Sequence, residues 1–458
     1  MANIKFGTDG WRAITDKEFT EENVAKVSKA IAKYVFDNFG MHKKILIGYD
    51  ARNKADELSL FCANILSQLG FTVMYSDKVI PTPVLAYNAR LLNACAIMFT
   101  ASHNPPEYLG MKFIPDYAGP ATDDITDEII ENLDKDFEPK IKGSIKKYDF
   151  SKDYFKHIEK LIDFEKIRSL NKNIIFDGLY SSTIGYFDRL LSDNNIKFNS
   201  IHMWHDTDFG GGMPEPKPQF LQKLIEEVKN VPNAIGFAND GDGDRFGAIN
   251  EQGEYVTPNE IMAILLLHLV KNKNMQGCLV KTVAGSLMLD KIAKKLNLEV
   301  IETAVGFKHV GEAMRKYDCI IGGEDSGGLS IKGHIPEKDG ILANLLILET
   351  LAYENKTLVE LQREIEEFTQ CKFLNDRVDL RLNSAEEITS IIDKFNNLEE
   401  LCNMKIVDKN KKDGIRLTLE DKNSRILIRP SGTEPLLRIY IETDTTDKMQ
   451  QFKDAVKI

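Results

Sequence analysis

The 458-residue sequence lacks the marks of several protein classes. It has no Cys-x-x-Cys pair, and most of its six scattered cysteines lie inside apolar runs, which predicts buried free thiols in a reducing compartment. Those cysteines are Cys62, Cys95, Cys278, Cys319, Cys371 and Cys402. The longest apolar stretches, IMAILLLHLV and ILANLLILETLA, have about half the length of a membrane span. We therefore expect no membrane-embedded segment.

A basic surface is also lacking. The net charge is −11, from 59 basic and 70 acidic side chains, which argues against a nucleic-acid partner or a basic membrane patch. The first residues, MANIKFGTDG, lack the charged and apolar blocks of a signal peptide. We expect a cytoplasmic protein, and no stretch predicts a particular oligomeric state.

What the sequence does contain is one pattern repeated three times. The length suggests roughly three or four domains. A β-branched run, a polar loop, a helix-period segment ending in Gly or Asn and a second strand recur in that order. The pattern occurs in KKILIGYDARNKADELSLFCANILSQLGFTVMYS, NKNIIFDGLYSSTIGYFDRLLSDNNIKFNSIHM and GCLVKTVAGSLMLDKIAKKLNLEVIET. Since such units close with parallel strands, we expect three related α/β domains in tandem.

The pattern changes after Cys371. The segments DRVDLRL, GIRLTL, SRILIRP and LRIYIETD alternate with period two, as antiparallel strands do. The C-terminal part is therefore predicted to be a smaller α+β domain. The predicted domains cover residues 1–145, 146–252, 253–370 and 371–458.

Four loops carry residues suited to chemistry, and the first is TASHNP, residues 100–105. Ser102 follows the predicted strand ACAIMF, where reactive side chains are commonly displayed. Ser102 beside His103 suggests a nucleophile and its base. However, adjacent side chains usually point apart, and no Gly-x-Ser-x-Gly motif is present. An Asn-Pro turn with a buried hydroxyl is an equal alternative.

The second loop is NDGDGDR, residues 239–245. In an extended loop the alternating Asp240, Asp242 and Asp244 can converge on one cation, and oxygen ligands favour Mg²⁺ or Ca²⁺. An EF-hand is the rival, but Arg245 occupies the place that needs glycine, and the flanks resemble strands. The remaining alternative is a solvated acidic turn. Three carboxylates followed by an arginine suit a metal that holds a phosphate.

The third and fourth loops predict binding of hydroxyl groups and of an anion. In GGEDSGG the Glu324 and Ser326 side chains can face the same way, and the glycines let a ligand approach closely. RPSGTEP offers two hydroxyls and successive N–H groups, which favours a phosphate nest, although it is not a nucleotide P-loop. Either stretch could also be a simple turn. The fourth group comprises Arg429, Ser431, Gly432, Thr433 and Arg438.

Together with FGTDGWR near the start, these loops resemble, in the same order, those of the α-D-phosphohexomutases, the phosphoglucomutase and phosphomannomutase family. The resemblance spans essentially the whole chain and is strongest to the bacterial phosphoglucomutase branch. It implies three related α/β domains and a distinct fourth around a central cleft. It also implies an intramolecular phosphotransferase acting on sugar phosphates.

The same resemblance assigns roles to residues. Ser102 would carry a phosphoryl group and, with Asp240, Asp242 and Asp244, hold Mg²⁺. The phosphoserine would give its group to a hexose phosphate, and the resulting hexose 1,6-bisphosphate would turn end for end before returning the other phosphate. Further residues implied at the reacting end or in sugar and phosphate contacts are Arg12, His103, Lys112, Arg245, Lys308, His309, Glu324, Ser326, Arg429, Ser431, Gly432, Thr433 and Arg438, with His334 and Lys338 as additional candidates.

One departure from the family pattern and one preference are also expected. Leu109 in YLGMK stands where many members have Asn, so local hydrogen bonding should differ. GEDSGG with VGFKHV, and Gly328 where other branches tend to have His, favour glucose over mannose, with glucosamine much poorer. The alternatives are a mutase that prefers mannose, a phosphatase and a non-catalytic sugar-phosphate-binding relative. Loss of Ser102 or of an aspartate would favour the last, and none is lost.

Overall fold

The structure, a computed structural model, describes residues 4–7, 10–139, 141–382, 384–430 and 436–456. These residues form four β-sheets with flanking helices, arranged one after another along the chain. The predicted architecture of three α/β domains followed by a different fourth domain is confirmed.

The first domain contains a seven-stranded sheet. Its elements are β1 (Phe6–Gly7), β2 (Gly10–Ile14), α1 (Glu21–Phe39), β3 (Ile45–Tyr49), α2 (Ala55–Gln68), β4 (Thr72–Tyr75), α3 (Thr82–Leu91), β5 (Cys95–Phe99), β6 (Tyr108–Ile114), α4 (Asp123–Glu131) and β7 (Ser144–Lys147). The strand order is β1-β2-β6-β5-β3-β4-β7.

The second and third domains have smaller sheets. The second is built from α5 (Ser151–Leu161), α6 (Phe164–Arg168), β8 (Asn173–Asp177), α7 (Phe187–Asp193), β9 (Phe198–Ile201), a 3₁₀ turn (Phe209–Gly211), α8 (Gln222–Asn230), β10 (Ala234–Asn239), β11 (Phe246–Ile249) and β12 (Tyr255–Val256). The third is built from α9 (Pro258–Lys271), β13 (Cys278–Thr282), α10 (Leu287–Lys295), β14 (Val300–Thr303), α11 (Phe307–Lys316), β15 (Cys319–Gly323), β16 (Leu329–Ile331), α12 (Gly340–Glu354) and α13 (Leu358–Thr369).

The three sheets share one plan. The orders β4-β3-β5-β6, β9-β8-β10-β11 and β14-β13-β15-β16 are equivalent. In each, the first three strands are parallel and the fourth is antiparallel. The loops that connect β5 to β6, β10 to β11 and β15 to β16 therefore occupy equivalent positions. They contain TASHNP, DGDGDR and GEDSGG, so three of the predicted functional loops are the same loop in three related domains.

The fourth domain has an entirely antiparallel sheet. Its elements are β17 (Leu374–Arg381), α14 (Ala385–Asn396), β18 (Glu400–Leu401), β19 (Met404–Asn410), β20 (Ile415–Leu419), β21 (Arg425–Pro430), β22 (Leu436–Thr443) and α15 (Thr446–Ala455). The strand order is β17-β22-β21-β20-β19-β18. The four strands predicted from period-two alternation correspond to β17, β20, β21 and β22, because one face of this sheet is buried and the other is covered less.

Buried contacts join the domains. One apolar cluster runs from Leu46 in the first domain through the second and third to Phe373, just before β17. The fourth domain has its own core and meets the third at Glu442, whose carboxylate accepts the Leu287 N–H at 2.9 Å and pairs with Arg425 at 2.8 Å. Among the described residues no helix is both long and apolar enough to cross a membrane. All six cysteines are free.

Candidate active site

Ser102 lies in the β5–β6 loop in a conformation that needs support. Its φ of 52° is in the left-handed region, which is unfavourable for a residue with a Cβ. The Ser102 N–H donates to Thr100 Oγ1 at 2.8 Å. The residue is almost completely buried, with 1% of its surface exposed. The surrounding loop must therefore be fixed by contacts beyond its own backbone.

Arg52, in the loop after β3, supplies those contacts. Its guanidinium donates to four backbone carbonyls in residues 100–108, which we call the serine loop: Ser102 (2.6 Å), Asn104 (2.7 Å), Pro105 (2.8 Å) and Tyr108 at the start of β6 (3.0 Å). Its Nε pairs with Asp50 at 3.2 Å, and both side chains are fully buried. A planar guanidinium with five donors can reach these four carbonyls and the carboxylate together, whereas a lysine ammonium with three donors could not.

The Ser102 hydroxyl contacts a cluster of carboxylates. Ser102 Oγ donates to Asp240 Oδ2 at 2.8 Å. One carboxylate oxygen from each of Asp240, Asp242 and Asp244 lies within 4.8 Å of the others, and all three residues are fully buried. Burial and the two neighbouring carboxylates raise the pKa of Asp240 well above its ordinary value. Crowded buried charges of one sign are costly unless a cation balances them.

The donor set fits a divalent metal ion. Three carboxylate oxygens that converge from one loop suit a hard cation such as Mg²⁺ or Ca²⁺. Two of the aspartates are oriented by neutral donors, since the Arg245 backbone N–H donates to Asp240 Oδ1 at 3.0 Å and the Thr82 hydroxyl to Asp242 Oδ2 at 2.6 Å. Within the described residues both Asp244 oxygens are buried and accept no hydrogen bond of good geometry, although Oδ2 lies within ion-pair distance of two lysines. The aspartate triad can therefore hold a metal whose identity the geometry does not specify.

Two buried lysines lie beside Asp244. Lys338 Nζ is 3.1 Å and Lys112 Nζ 3.7 Å from Asp244 Oδ2. Both lysines also contact Glu337, at 3.4 Å from Lys338 and 3.0 Å from Lys112. Lys112 is on β6, and Lys338 comes from the segment before α12, so two domains supply these charges.

His103 and Arg12 lie around the serine. His103 Nδ1 is 3.2 Å from Ser102 Oγ, so the adjacent side chains do meet. Burial, followed by the charges of Arg245 and Arg12, lowers the pKa of His103 well below its ordinary value and favours the neutral imidazole. Arg12 Nη1 donates to Asn104 Oδ1 at 2.8 Å.

The family departure at Leu109 has a packing explanation. Leu109 is fully buried in the core of the first domain, where it pairs with Ala13 on β2. Its side chain therefore packs in the interior, and hydrogen bonding by a side chain at this position is absent. The next residue, Gly110, is required because a Cβ there would lie 2.6 Å from Trp11 O and 2.7 Å from Thr100 O.

The third loop joins the first two. Glu324 Oε1 accepts the Gly306 N–H at 3.0 Å, and Ser326 Oγ donates to Glu324 Oε2 at 3.4 Å, so the predicted pair faces the same way. Burial raises the pKa of Glu324, and Lys338 opposes that increase. The Phe246 N–H donates to Gly327 O at 3.0 Å, which connects this loop to β11, the strand after the second loop.

Lys308, His309 and Arg429 have partners other than Ser102 and the three aspartates. Lys308 pairs with Asp123 of the first domain, and burial lowers the pKa of the neighbouring His309. Arg429 Nε donates to Asp413 Oδ2 at 2.7 Å, and the same oxygen accepts the Val305 N–H at 3.0 Å. Val305 precedes the glycine that donates to Glu324, so these contacts connect the fourth domain to the third loop.

The fourth loop itself is described only at its ends. Arg429 and Arg438 face each other across β21 and β22, on either side of the RPSGTEP loop. Ser431, Gly432 and Thr433 lie outside the described residues. The two arginines therefore border the place where the sequence predicts an anion nest.

Sequence reasoning missed several residues of the site. Arg52 and Asp50 lie in GYDARN at the carboxyl end of a buried strand, which was a usable signal. Glu337 precedes Lys338, a candidate predicted from the sequence, but nothing in PEKDG indicates that this glutamate is fully buried. Glu215 is a third case: it pairs with Lys217 at 2.7 Å and lies 3.8 Å from Arg245.

Models of one protein family match nearly the whole chain. The phosphoglucomutase/phosphomannomutase alpha/beta/alpha domains I, II and III match residues 3–140, 152–253 and 257–368, and the C-terminal domain matches residues 381–458. The chain belongs to the phosphoglucomutase/phosphomannomutase family. It is an enzyme of the phosphohexomutase type, an intramolecular phosphotransferase.

Individual members of the family are similar over their full length. The phosphoglucosamine mutase of Methanocaldococcus jannaschii is 32% identical over 99% of this chain and 97% of its own. The phosphoglucomutase/phosphomannomutase of Thermococcus kodakarensis is 30% identical over 98% of this chain and 96% of its own. A putative phosphomannomutase structure from Thermus thermophilus superposes with a TM-score of 0.88 at 28% identity, covering 100% of this chain and 98% of that chain. These relatives carry different sugar names.

Proposed function

We propose that this phosphohexomutase interconverts hexose 1-phosphate and hexose 6-phosphate, with glucose favoured, through a phosphoserine at Ser102. The observation that supports this most strongly is the contact of Ser102 Oγ with Asp240 at 2.8 Å, in a buried cluster of three aspartates. An acyl nucleophile would gain nothing from such a cluster. A phosphate carrier would gain from it, because the carboxylates can hold a cation that neutralises the charge of the phosphoryl group.

The metal proposed for the cluster is Mg²⁺, held by Asp240, Asp242 and Asp244 together with the phosphate on Ser102. A phosphoserine carries about −1.5 to −2 charge, so beside three buried carboxylates it would be strongly disfavoured without a cation. When bound, the metal neutralises charge on the phosphoryl oxygens. Three carboxylates without a nitrogen or sulfur ligand favour Mg²⁺ over softer ions.

The transfer conserves atoms and charge in two matched steps. The bond between Ser102 Oγ and phosphorus breaks while a bond from phosphorus to a sugar hydroxyl oxygen forms. The neutral imidazole of His103 is the candidate for accepting the hydroxyl proton, and the ammonium of Lys112 is the candidate for giving a proton to Ser102 Oγ as it leaves. The resulting hexose 1,6-bisphosphate turns end for end, and the reverse step returns its other phosphoryl group to Ser102. Added hexose 1,6-bisphosphate would therefore act as an activator.

Binding of the sugar phosphate is assigned to the remaining loops. Glu324 and Ser326 are proposed to bind ring hydroxyls, because their paired oxygens face the same way. Arg245, Lys308 and His309 are proposed as further contacts at this end. The phosphate that does not react is assigned to Arg429 and Arg438 with the fourth loop. The full set for that phosphate is Arg429, Ser431, Gly432, Thr433 and Arg438.

Retention of the second phosphate also argues against a phosphatase. A hydrolase would not need to bind the phosphate at the other end of the sugar from the reacting group. Here Arg429 is oriented by Asp413, and Asp413 also accepts the Val305 N–H, next to the residue that contacts Glu324 of the third loop. Such a connection supports an enzyme that must keep a bisphosphate bound while it turns. The presence of Ser102 and all three aspartates likewise argues against a non-catalytic relative.

The preference for glucose is inferred from Gly328, the last residue of the third loop, and its neighbour Lys338. A Cβ at Gly328 would lie 2.3 Å from Lys338 Cδ, so a histidine there, as other branches tend to have, would displace Lys338. Glu324 and Ser326 would reach hydroxyls that glucose and mannose share, and one misplaced hydroxyl changes a rate only modestly. Mannose 1-phosphate should therefore be a poorer substrate, although a real one.

The second candidate is phosphoglucosamine mutase activity. It is favoured by the name of the Methanocaldococcus jannaschii relative, which is 32% identical over 99% of the chain. An ammonium group on the sugar would need a carboxylate near it. Glu324 is the carboxylate at hand, but Lys338 and Arg245 act on the same group electrostatically. Because of that competition we expect glucosamine to be a poorer substrate than glucose.

Coupled assays with glucose, mannose and glucosamine 1-phosphates, each with added bisphosphate and Mg²⁺, test the proposal. We expect kcat/KM to fall in the order glucose, mannose, glucosamine, and Ser102→Ala measured in parallel gives the background. A value for glucosamine above that for glucose would establish the second candidate. Turnover of none of the three would refute the proposed substrate class.

A further inference from the structure

Glu337 is a buried carboxylate that no predicted role includes. It is fully buried and lies between two ammonium groups, at 3.0 Å from Lys112 and 3.4 Å from Lys338. The same two lysines contact Asp244 on their other side. Each lysine therefore has two carboxylates in reach, of which one belongs to the aspartate triad and the other does not.

The segment that carries Glu337 is anchored on both sides. His334 Nε2 and the Tyr154 hydroxyl contact Asp339 Oδ2 at 2.9 and 2.8 Å. His334 Nδ1 is 2.9 Å from His157 Nε2, and Arg90 donates to His334 O at 3.1 Å.

Asp339 also caps α12 by accepting the Leu342 N–H at 2.9 Å. Residues of three domains thus hold the segment around Glu337. These contacts fix the Glu337 backbone, and each buried lysine already lies within ion-pair distance of both Glu337 and Asp244.

We propose that Glu337 is a positioning residue that enables the metal to bind by serving as the counter-charge of the two lysines. The proposal rests on the metal site of the proposed function. A divalent cation at Asp244 repels the ammonium groups of Lys112 and Lys338, and these buried groups cannot reach solvent. Glu337 gives them a counter-charge that is not a metal ligand.

The charges of this group support the proposal. In the unphosphorylated enzyme, the three aspartates and Glu337 balance two ammonium groups and one divalent cation. Arg245 adds a further positive charge near the triad, since it acts on Asp240 and shares its own partner Glu215 with Lys217. Without Glu337 a net positive charge would be left among buried side chains, and interactions at such short range are strong there. Loss of the Glu337 charge should therefore weaken metal binding.

The test measures Mn²⁺ binding by calorimetry, without sugar phosphate, on full-length protein whose intact mass shows no phosphate. Glu337→Gln should raise the dissociation constant at least about tenfold, equivalent to about 1.4 kcal/mol. Glu337→Asp keeps the charge and should restore most of the affinity.

Glu349→Gln is the matched control. Glu349 is equally buried and pairs with Lys273 at 2.6 Å and His268 at 3.0 Å, away from the aspartates. This variant should leave the dissociation constant unchanged.

A double-mutant cycle tests the route through the lysines. Lys338→Met should tighten Mn²⁺ binding, because one competing cation is removed. In that background Glu337→Gln should have a smaller effect than in the wild type. An equal effect in both backgrounds would overturn the role of Lys338, and wild-type affinity in Glu337→Gln would overturn the whole inference.

Failure of this inference is distinguishable from failure of the proposed function. If the wild type binds no Mn²⁺, the metal assignment itself is wrong and the inference falls with it. If the wild type binds Mn²⁺ and Glu337→Gln binds it equally well, only the inference is refuted. Circular dichroism verifies folding, and if Glu337→Gln does not fold, Glu337→Asp and Lys338→Met decide the test through their affinities.

Discussion

Arg52→Lys is the substitution whose effect can be worked out most directly from the structure. Arg52 makes five polar side-chain contacts, four to carbonyls of the serine loop and one to Asp50. A lysine keeps the charge but has only three donors, so at least two contacts are lost. The Ser102 backbone, held at a φ of 52°, would then lose part of its support.

The expected magnitude follows from those lost contacts. A hydrogen bond that involves a charged group contributes about 1.5–3 kcal/mol, so two of them amount to roughly 3–6 kcal/mol. Movement of a reacting group by about 1 Å can lower a rate about 100-fold. We therefore expect kcat to fall about 100-fold or more. KM should change little, because the phosphate that does not react is assigned to the fourth domain.

The assay is steady-state turnover of glucose 1-phosphate, expressed per folded enzyme as judged by circular dichroism. Arg189→Lys is the matched control, since Arg189 is an exposed residue of α7 that pairs with Asp193. A loss of folded protein alone would lower the yield of enzyme without changing kcat per folded molecule. A kcat for Arg52→Lys within about threefold of the wild type would refute the positioning role of Arg52.

Three further predictions concern the metal, the second phosphate and the pH. Asp242→Asn removes one charge of the triad and should weaken both Mg²⁺ binding and turnover, whereas full activity after chelation would show that no metal is needed. Arg429→Ala should mainly raise KM and release more bisphosphate, and a fall in kcat alone would count against its phosphate contact. Burial raises the pKa of Asp149, but hydrogen bonds from Ser151 and Lys78 outweigh it and lower the pKa to about 2. The Asp149 contribution to stability is thus present above the unfolded pKa and lost as the pH falls through the native pKa, so the urea midpoint of Asp149→Asn should depend less on acid pH than that of the wild type.

Much of the fold could be predicted from the sequence because the repeated pattern is local. The strands ILIGY, NIIFD and CLVKT are each followed by a helix and a parallel strand, as the hydrophobic pattern and the Gly or Asn stops indicate. The equivalence of the three motif loops required the sheet order, since β5, β10 and β15 are recognised as counterparts only through their pairing.

The site was predictable where the chemistry lies in one short stretch. Asp240, Asp242 and Asp244 converge as their alternation predicts. Arg52 and Glu337 were missed because their partners are distant in the chain: Arg52 contacts carbonyls 50 to 56 residues away, and Glu337 contacts Lys112. A buried charge is identified by its partners, and pairing over such distances is set by the tertiary fold.

Location of the phosphoryl group on the enzyme is the most direct measurement of the proposed chemistry. The protein is incubated with hexose 1,6-bisphosphate and Mg²⁺, quenched, and analysed by intact mass and peptide mapping. We predict one phosphate, on Ser102, and for Ser102→Ala neither this phosphate nor more than about a thousandth of the wild-type turnover. A phosphate on another residue, or near-normal turnover in Ser102→Ala, would contradict the phosphoserine mechanism.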